Sequence, residues 1–315
     1  MPTNIVDIPF LNPLRFVPVG STAKNFDSDW YFNQIKSFEQ QIQYYQKWVY
    51  GDVIYLQVLS NFAPVVIELL DCSGNSLNTF SFTVKSTSLV NPGYTVYECS
   101  IPVPTIDEGV YYFLLKVGSY SSVPEESTLE QFISEPQYFS ADAENTILFQ
   151  YKNSYNRFDV IFETGINFGF RCDAVIGAID PQSKDTVWED QPLNLRTITS
   201  TPYRHFKLTI GNSYGVPDWV VDKVNRLFSC DTVLIDGRQY TKAEGAKWEV
   251  NQAELYPMRG WKIDIRETNN RYSLRGQNNN SPAEQFAVVY NIESKAFGTF
   301  NGNASNNIIQ VTEVE

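Results

Sequence analysis

Histidine is nearly missing from this chain: His205 stands alone among 315 residues. That removes the material for multi-histidine metal centres and for histidine-activated nucleophiles. Paired cysteines are missing too. Cys72, Cys99, Cys172 and Cys230 are far apart, with no CxxC spacing to hold structural zinc. There is no cluster of Lys or Arg. The 24 basic residues are outnumbered by 36 acidic ones, for a formal charge of -12, and a surface that negative repels a phosphate backbone. No nucleic-acid partner is expected. No apolar run approaches the roughly 20 residues that cross a bilayer, so membrane insertion is not expected either. The opening MPTNIVDIPFLNPLRFVPVG has no basic start followed by an apolar core, which argues against a secretory leader. GxSxG, phosphate-loop and dinucleotide fingerprints are also lacking.

What remains is a chain with 43% apolar and 15% aromatic residues, led by Phe and Tyr. Such side chains pack well on pleated faces, and the low charged fraction of 19% argues against long disordered stretches. The expected fold is mainly β: two β-sandwich-like (Ig-like) domains, the second with one short helix, plus extended N- and C-terminal arms. The boundaries are residues 1–40 for the N-terminal arm, 41–138 for the first domain, 139–270 for the second and 271–315 for the C-terminal extension.

In the arm, Pro2, Pro9, Pro13 and Pro18 forbid regular helix, while Phe10, Leu11, Leu14 and Phe16 are too apolar for a free tail. An arm of that kind lies on its own domain or on a neighbouring subunit, and a short helical turn is considered at Trp30–Phe38. Strands are predicted at Asp52–Leu59, Val65–Asp71, Leu77–Val84, Tyr94–Ile101 and Val110–Val117, the last apolar on both faces and so central. Ser119–Glu135 reads as a polar loop. A strand is expected around Phe158, Val160 and Phe162, and another at Phe168–Gly177. Asp180–Arg204 reads as a long contact loop. Pro217 and Asp218 open a helix over 217–229 whose stripe is Val220, Val224, Leu227 and Phe228. Asp236-Gly237 marks a hairpin, and Trp261, Ile263 and Ile265 alternate with Lys262, Asp264 and Arg266. The Asn-rich C-terminal extension is expected to carry one or two strands.

No residue is assigned a catalytic, cofactor-binding or metal-ligating role. His205 reads as a strand residue, and the acidic pairs Glu189-Asp190, Asp107-Glu108 and Glu125-Glu126 as solvated surface. Asp71 and Asn75 read as a turn, since the spacing of a calcium loop is missing. The cysteines read as reduced core residues, with a Cys72–Cys99 bridge as the alternative. Trp30, Tyr31, Tyr44, Tyr45, Trp48 and Tyr50 crowd one run. They suit a sandwich core, a protein interface or a sugar platform.

Two pieces, NTILFQYKNSYNRFDVIFETGINFGFRCDAVIG (Asn145–Gly177) and GVPDWVVDKVNRLFSCDTVLIDGRQYTKAEG (Gly215–Gly245), resemble tail and virion structural proteins of Bacteroidetes phages and prophages, crAss-like phages included. DWYFNQIKSFEQQIQYYQKW and GDVIYLQVLSNFAPVVIELLDCSGN, within Asp29–Asn75, add to the likeness. The resemblance covers under half of the chain. It implies a β-sandwich subunit assembling as a ring or hub, bound to copies of itself and to other tail or portal-proximal virion proteins. Its location would be the virion tail, assembled in the host bacterial cytoplasm. The interface residues expected on this reading are Phe10, Leu11, Leu14, Phe16, Trp30, Tyr31 and Trp48, and deleting residues 1–20 should spare the domains and abolish assembly. The alternative is a carbohydrate-binding module at a phage tip or bacterial surface, with Trp30 or Trp48 stacking on sugar. A hydrolase is the third and weakest reading.

Overall fold

Alternating apolar residues build two β-rich halves in a computed structural model of the chain. It describes residues 6–19, 44–85, 93–119, 129–142, 144–156, 160–189, 193, 195–211, 215–250 and 258–268, and the backbone of 286–291, 296–302 and 309–312. The chain divides into two compact units, Met1–Asn270 and Arg271–Glu315.

The first half of the larger unit contains β1 (Val6–Asp7), β2 (Phe16–Pro18), β3 (Gln46–Val49), β4 (Val53–Ser60), β5 (Val65–Leu70), β6 (Ser76–Ser81), β7 (Thr83–Lys85), β8 (Thr95–Pro102), β9 (Gly109–Val117), β10 (Glu130–Ser134) and β11 (Gln137–Ser140). One sheet runs β1-β4-β8-β7. The other runs β2-β10-β9-β11-β3, with β5 and β6 joined on the free side of β9. Both contribute to a shared core: Ile54, Leu56, Val58 and Ile101 from the first, Ile67, Leu69, Phe113, Leu115, Phe139 and Trp48 from the second. The expected central strand is β9. Tyr111, Phe113, Leu115 and Val117 are buried on one face, and β5, β10 and β11 flank its two edges. Part of the segment expected to be a polar loop is β10, which pairs with β2 and β9.

The second half contains β12 (Thr146–Lys152), β13 (Phe168–Glu189), β14 (Leu195–Ile210), α1 (Asp218–Leu227), β15 (Thr232–Ile235), β16 (Arg238–Lys242), β17 (Glu249–Val250) and β18 (Trp261–Glu267). The antiparallel sheet β14-β13-β12-β15-β16-β18 closes on itself because β14 also pairs with β18. A closed sheet has no open edge within its ring. Phe149, Phe168, Phe170, Cys172, Leu208, Val233, Ile235, Ile263 and Ile265 form one core, which Val220, Val224, Leu227 and Phe228 of the helical segment join. The predicted helical stripe is therefore buried, and Phe228 meets Phe149 edge-on with ring centroids 6.0 Å apart. Asp236 and Gly237, both at positive φ, turn β15 into β16.

Four further expectations are corrected. Val160 and Phe162 are buried, but Phe162–Thr164 is a 3-10 turn and no strand. Asp180–Arg204 is no loop, since its limbs are strands of a long hairpin. Cys72 is exposed, while Cys99, Cys172 and Cys230 are buried and all four are free, with no Cys72–Cys99 bridge. Among its described residues the smaller unit has three strands, β19 (Phe286–Asn291), β20 (Ala296–Gly302) and β21 (Ile309–Thr312), paired in that order. Phe158 and Trp30–Phe38 lie outside the described residues.

Gly215 and Gly237 separate two costs of a side chain. At Gly237 (φ +74) an added Cβ meets nothing within 4 Å, whereas at Gly215 (φ +77) it would lie 2.7 Å from the backbone of Met258 and Arg259. Gly237→Ala should therefore lose only about 1–2 kcal/mol of unfolding free energy. Gly215→Ala should lose about 1–3 kcal/mol more, read from denaturant midpoints. Equal losses would contradict the packing at Gly215.

Candidate assembly interface

The N-terminal segment turns inward. Leu11 belongs to the core of the second half, Leu14 to that of the first, and Trp48 is fully buried in the first. Their assignment to an interface between subunits is corrected: each is consumed inside its own chain. Trp48 lies on β3 and donates its indole N–H to Gln137 Oε1 at 2.7 Å, so both its apolar ring and its polar handle are satisfied. Phe10 is half-buried under Lys223 and Arg226, and Phe16 packs partly against the first core. Trp30 and Tyr31 lie outside the described residues.

Polar groups fix this segment as firmly as apolar ones. β1 pairs with β4 at Leu59 and Ser60. Further along, the Asn12 side-chain amide continues that ladder: its Nδ2 donates to Gln57 O at 2.7 Å, and Gln57 N donates to its Oδ1 at 2.9 Å. Tyr151 Oη donates to Leu11 O from the second half. Lys223 Nζ, from α1, donates to Asn12 O at 2.6 Å. Removing residues 1–20 would expose both cores and orphan these groups, so such a deletion should destabilise the domains and not spare them.

The two halves also meet directly. Arg171 on β13 grips Asp52 with two hydrogen bonds of 2.7 and 2.8 Å, and Lys47 pairs with Asp173 at 2.6 Å. Gln57 Nε2 donates to Glu98 Oε1 and Ile161 O, while Ile161 N donates to Gln57 Oε1. The seam is charged and bidentate, which favours one fixed geometry.

From this body a hairpin projects. β13 and β14 are paired as barrel strands up to Ile176 and Leu208. A register shift follows between Ile176 and Ile179, and the pairing then continues, with a second shift between Thr186 and Val187, to Glu189 and Leu195. Such a bulge bends the strand and raises its twist, re-aiming the ribbon. The limbs Asp180–Glu189 and Leu195–Pro202 are exposed along their length, and at about 3.3 Å per residue each reaches on the order of 30 Å. The distal end is apolar: Val187, Trp188, Leu193, Leu195 and Ile198 are 49–75% exposed. At the base, Arg266 lies 4.2 Å over the Tyr203 ring, which is tilted against half-buried His205 at 4.9 Å between centroids. Asp185 accepts hydrogen bonds from Ser200 and Ser183, which hold its carboxyl below the usual range.

Among the described residues no group of three or more metal-binding side chains occurs, and no helix is long and apolar enough to cross a membrane. The Asp71 carboxylate is occupied by Ser73 N, Asn75 N and Asn75 Nδ2, as a turn requires. A cleft of about 300 Å³ lies where the 3-10 turn meets the first sheet, lined by Tyr55, Lys85, Glu98, Ser100, Thr164 and Asn167 among others.

No protein-family model matches the chain, and neither the curated proteins nor the solved structures contain a match to it.

Burial pushes the Lys223 ammonium down to about 7 from its ordinary 10.5, against the pull of the Glu135 carboxylate and with help from Arg15. The unfolded chain therefore binds a proton that the folded one releases between those values, so this residue's contribution to stability rises with pH across that window. Wild-type stability measured relative to Lys223→Met should climb between pH 7 and 9, by at most about 1.4 kcal/mol per unit. A pH-independent difference in urea midpoints would contradict the burial of a neutralised amine.

Proposed function

We propose that this chain is a structural subunit of a phage tail, a hub, ring or adaptor protein that assembles as a symmetric oligomer and connects other tail proteins. The observation that carries the reading is the hairpin: a long ribbon with an apolar, tryptophan-bearing end, held out from a rigid body. Exposed apolar ends of this kind are what large aromatic anchors look like before they meet a partner. A two-stranded ribbon is marginal in water by itself, which favours a partner along its length. The resemblance of Asn145–Gly177 and Gly215–Gly245 to virion structural proteins supports the same role. That role places the protein in the virion tail, assembled in the host cytoplasm, without catalysis or cofactor.

The cleft favours a second reading, carbohydrate binding. Tyr55 supplies a ring face, and Lys85, Glu98, Ser100, Thr164 and Asn167 supply donors and acceptors for hydroxyls. Trp48 cannot take part because it is buried.

Size-exclusion chromatography with light scattering and negative-stain imaging of the purified full chain should show a closed, symmetric oligomer. A protein that stays monomeric at every concentration would sink the structural reading. Glycan-array binding abolished by Tyr55→Ala would instead establish the second.

A further inference from the structure

We infer that the β13–β14 hairpin is a strand-pairing element that joins copies of this chain head to tail, β13 of one copy beside β14 of the next. This deepens the assembly reading and rests on it.

Three observations select this partner. The first is the free edges. Beyond Asp173 the pairing of β13 with β12 stops, and before His205 the pairing of β14 with β18 stops. Each limb therefore pairs only with the other, and its outer edge offers a row of backbone donors and acceptors. Between Gln182 and Glu189, and between Leu195 and Thr201, no Pro or Gly blunts that edge, which is interrupted by one register shift at Thr186/Val187 opposite Ile198, and Thr186, Val187, Trp188, Thr197 and Thr199 suit a strand.

The second is charge. The β13 limb carries Asp180, Asp185 and Glu189 against Lys184 alone, whereas the β14 limb carries Arg196 and no acid, with Arg204 below it paired to Glu267 of β18 at 3.7 Å. The opposition helps the two limbs pair with each other, and it also decides between modes of contact across copies. Pairing β13 with a second β13 sets acid against acid, and pairing β14 with β14 sets base against base. Only β13 beside the neighbour's β14 keeps unlike charges together.

The third is closure. The two limbs run antiparallel, so adding β14 of the next copy beside β13 keeps every pairing antiparallel and repeats one operation. A single partner of any other kind satisfies one edge and leaves one open. A heterologous contact that repeats until it closes satisfies both edges in every copy. The apolar ends of neighbouring hairpins are brought side by side by the same arrangement.

Two measurements test this on the full chain. In the wild-type oligomer, hydrogen exchange should show outward-facing amides of both limbs protected at least tenfold relative to dilute monomer. In addition, a variant with Asp185→Lys and Glu189→Lys, and another with Arg196→Glu, should each fail to assemble alone. An equimolar mixture should assemble, because each then offers the other an opposite limb. A third variant, with residues 180–204 replaced by an Asn-Gly turn, should be a folded monomer. An oligomer whose hairpin amides exchange freely, or that survives the hairpin replacement, overturns the inference and leaves the assembly reading standing. A mixture no more assembled than its components also overturns it. A wild-type chain that never oligomerises overturns both.

Discussion

Everything in the larger unit depends on the N-terminal segment being seated between the two halves. Asn12 acts as a piece of backbone, its amide giving and taking hydrogen bonds at Gln57 as a neighbouring strand would. On either side of it, Leu11 and Leu14 enter different cores. The prolines that forbid a helix there are compatible with this extended path, since the contacts are made by side chains and carbonyls and do not need a continuous ladder of N–H groups. Lys223 then covers the segment with a buried amine that lies against the carbonyls of Asn12 and Pro13 and the rings of Phe10, Phe170 and Trp219. A buried amine of this kind is a costly choice for stability alone, and its geometry ties the helix to the segment's backbone.

That seating gives the hairpin its mechanical base. The limb that projects is the continuation of β13, whose barrel portion also carries Arg171 and Asp173, the residues that grip the first half. Force or orientation imposed on the ribbon therefore passes into both halves at once. A flexible junction would waste the directional information in a long ribbon, because each edge must meet its partner along its whole length.

Much of the fold could be read from the chain before its structure was known. Period-two alternation located β4, β5, β8 and β9 to within a residue or two, and Asp236-Gly237 located a hairpin turn. The helix was legible from Pro217, Asp218 and the stripe at Val220, Val224, Leu227 and Phe228. Harder to see was the hairpin. Its composition of Asp, Gln, Thr and Pro resembles a loop because neither face is buried, so the apolar alternation that marks a half-buried strand is missing. The signal that remained was the run of Thr, Val, Trp and Ile on both sides of Pro192. The arm residues were recognised as too apolar for solvent, but sequence cannot say whether a buried residue is covered by its own chain or by another. Lys223 also left a trace. It falls inside the apolar stripe, at the spacing of a core position, where an ordinary solvated lysine would not sit.

The contact between Lys223 and Asn12 also bears on timing, because 211 residues separate its partners. At translation speeds of about 5–20 residues per second, the opening segment waits on the order of 10–40 s for the helix that holds it. The hairpin emerges from the ribosome during that delay, before its body is locked. Nascent chains are thus kept from presenting a finished, correctly aimed ribbon until most of the polypeptide has been made, which separates synthesis of each copy from its recruitment.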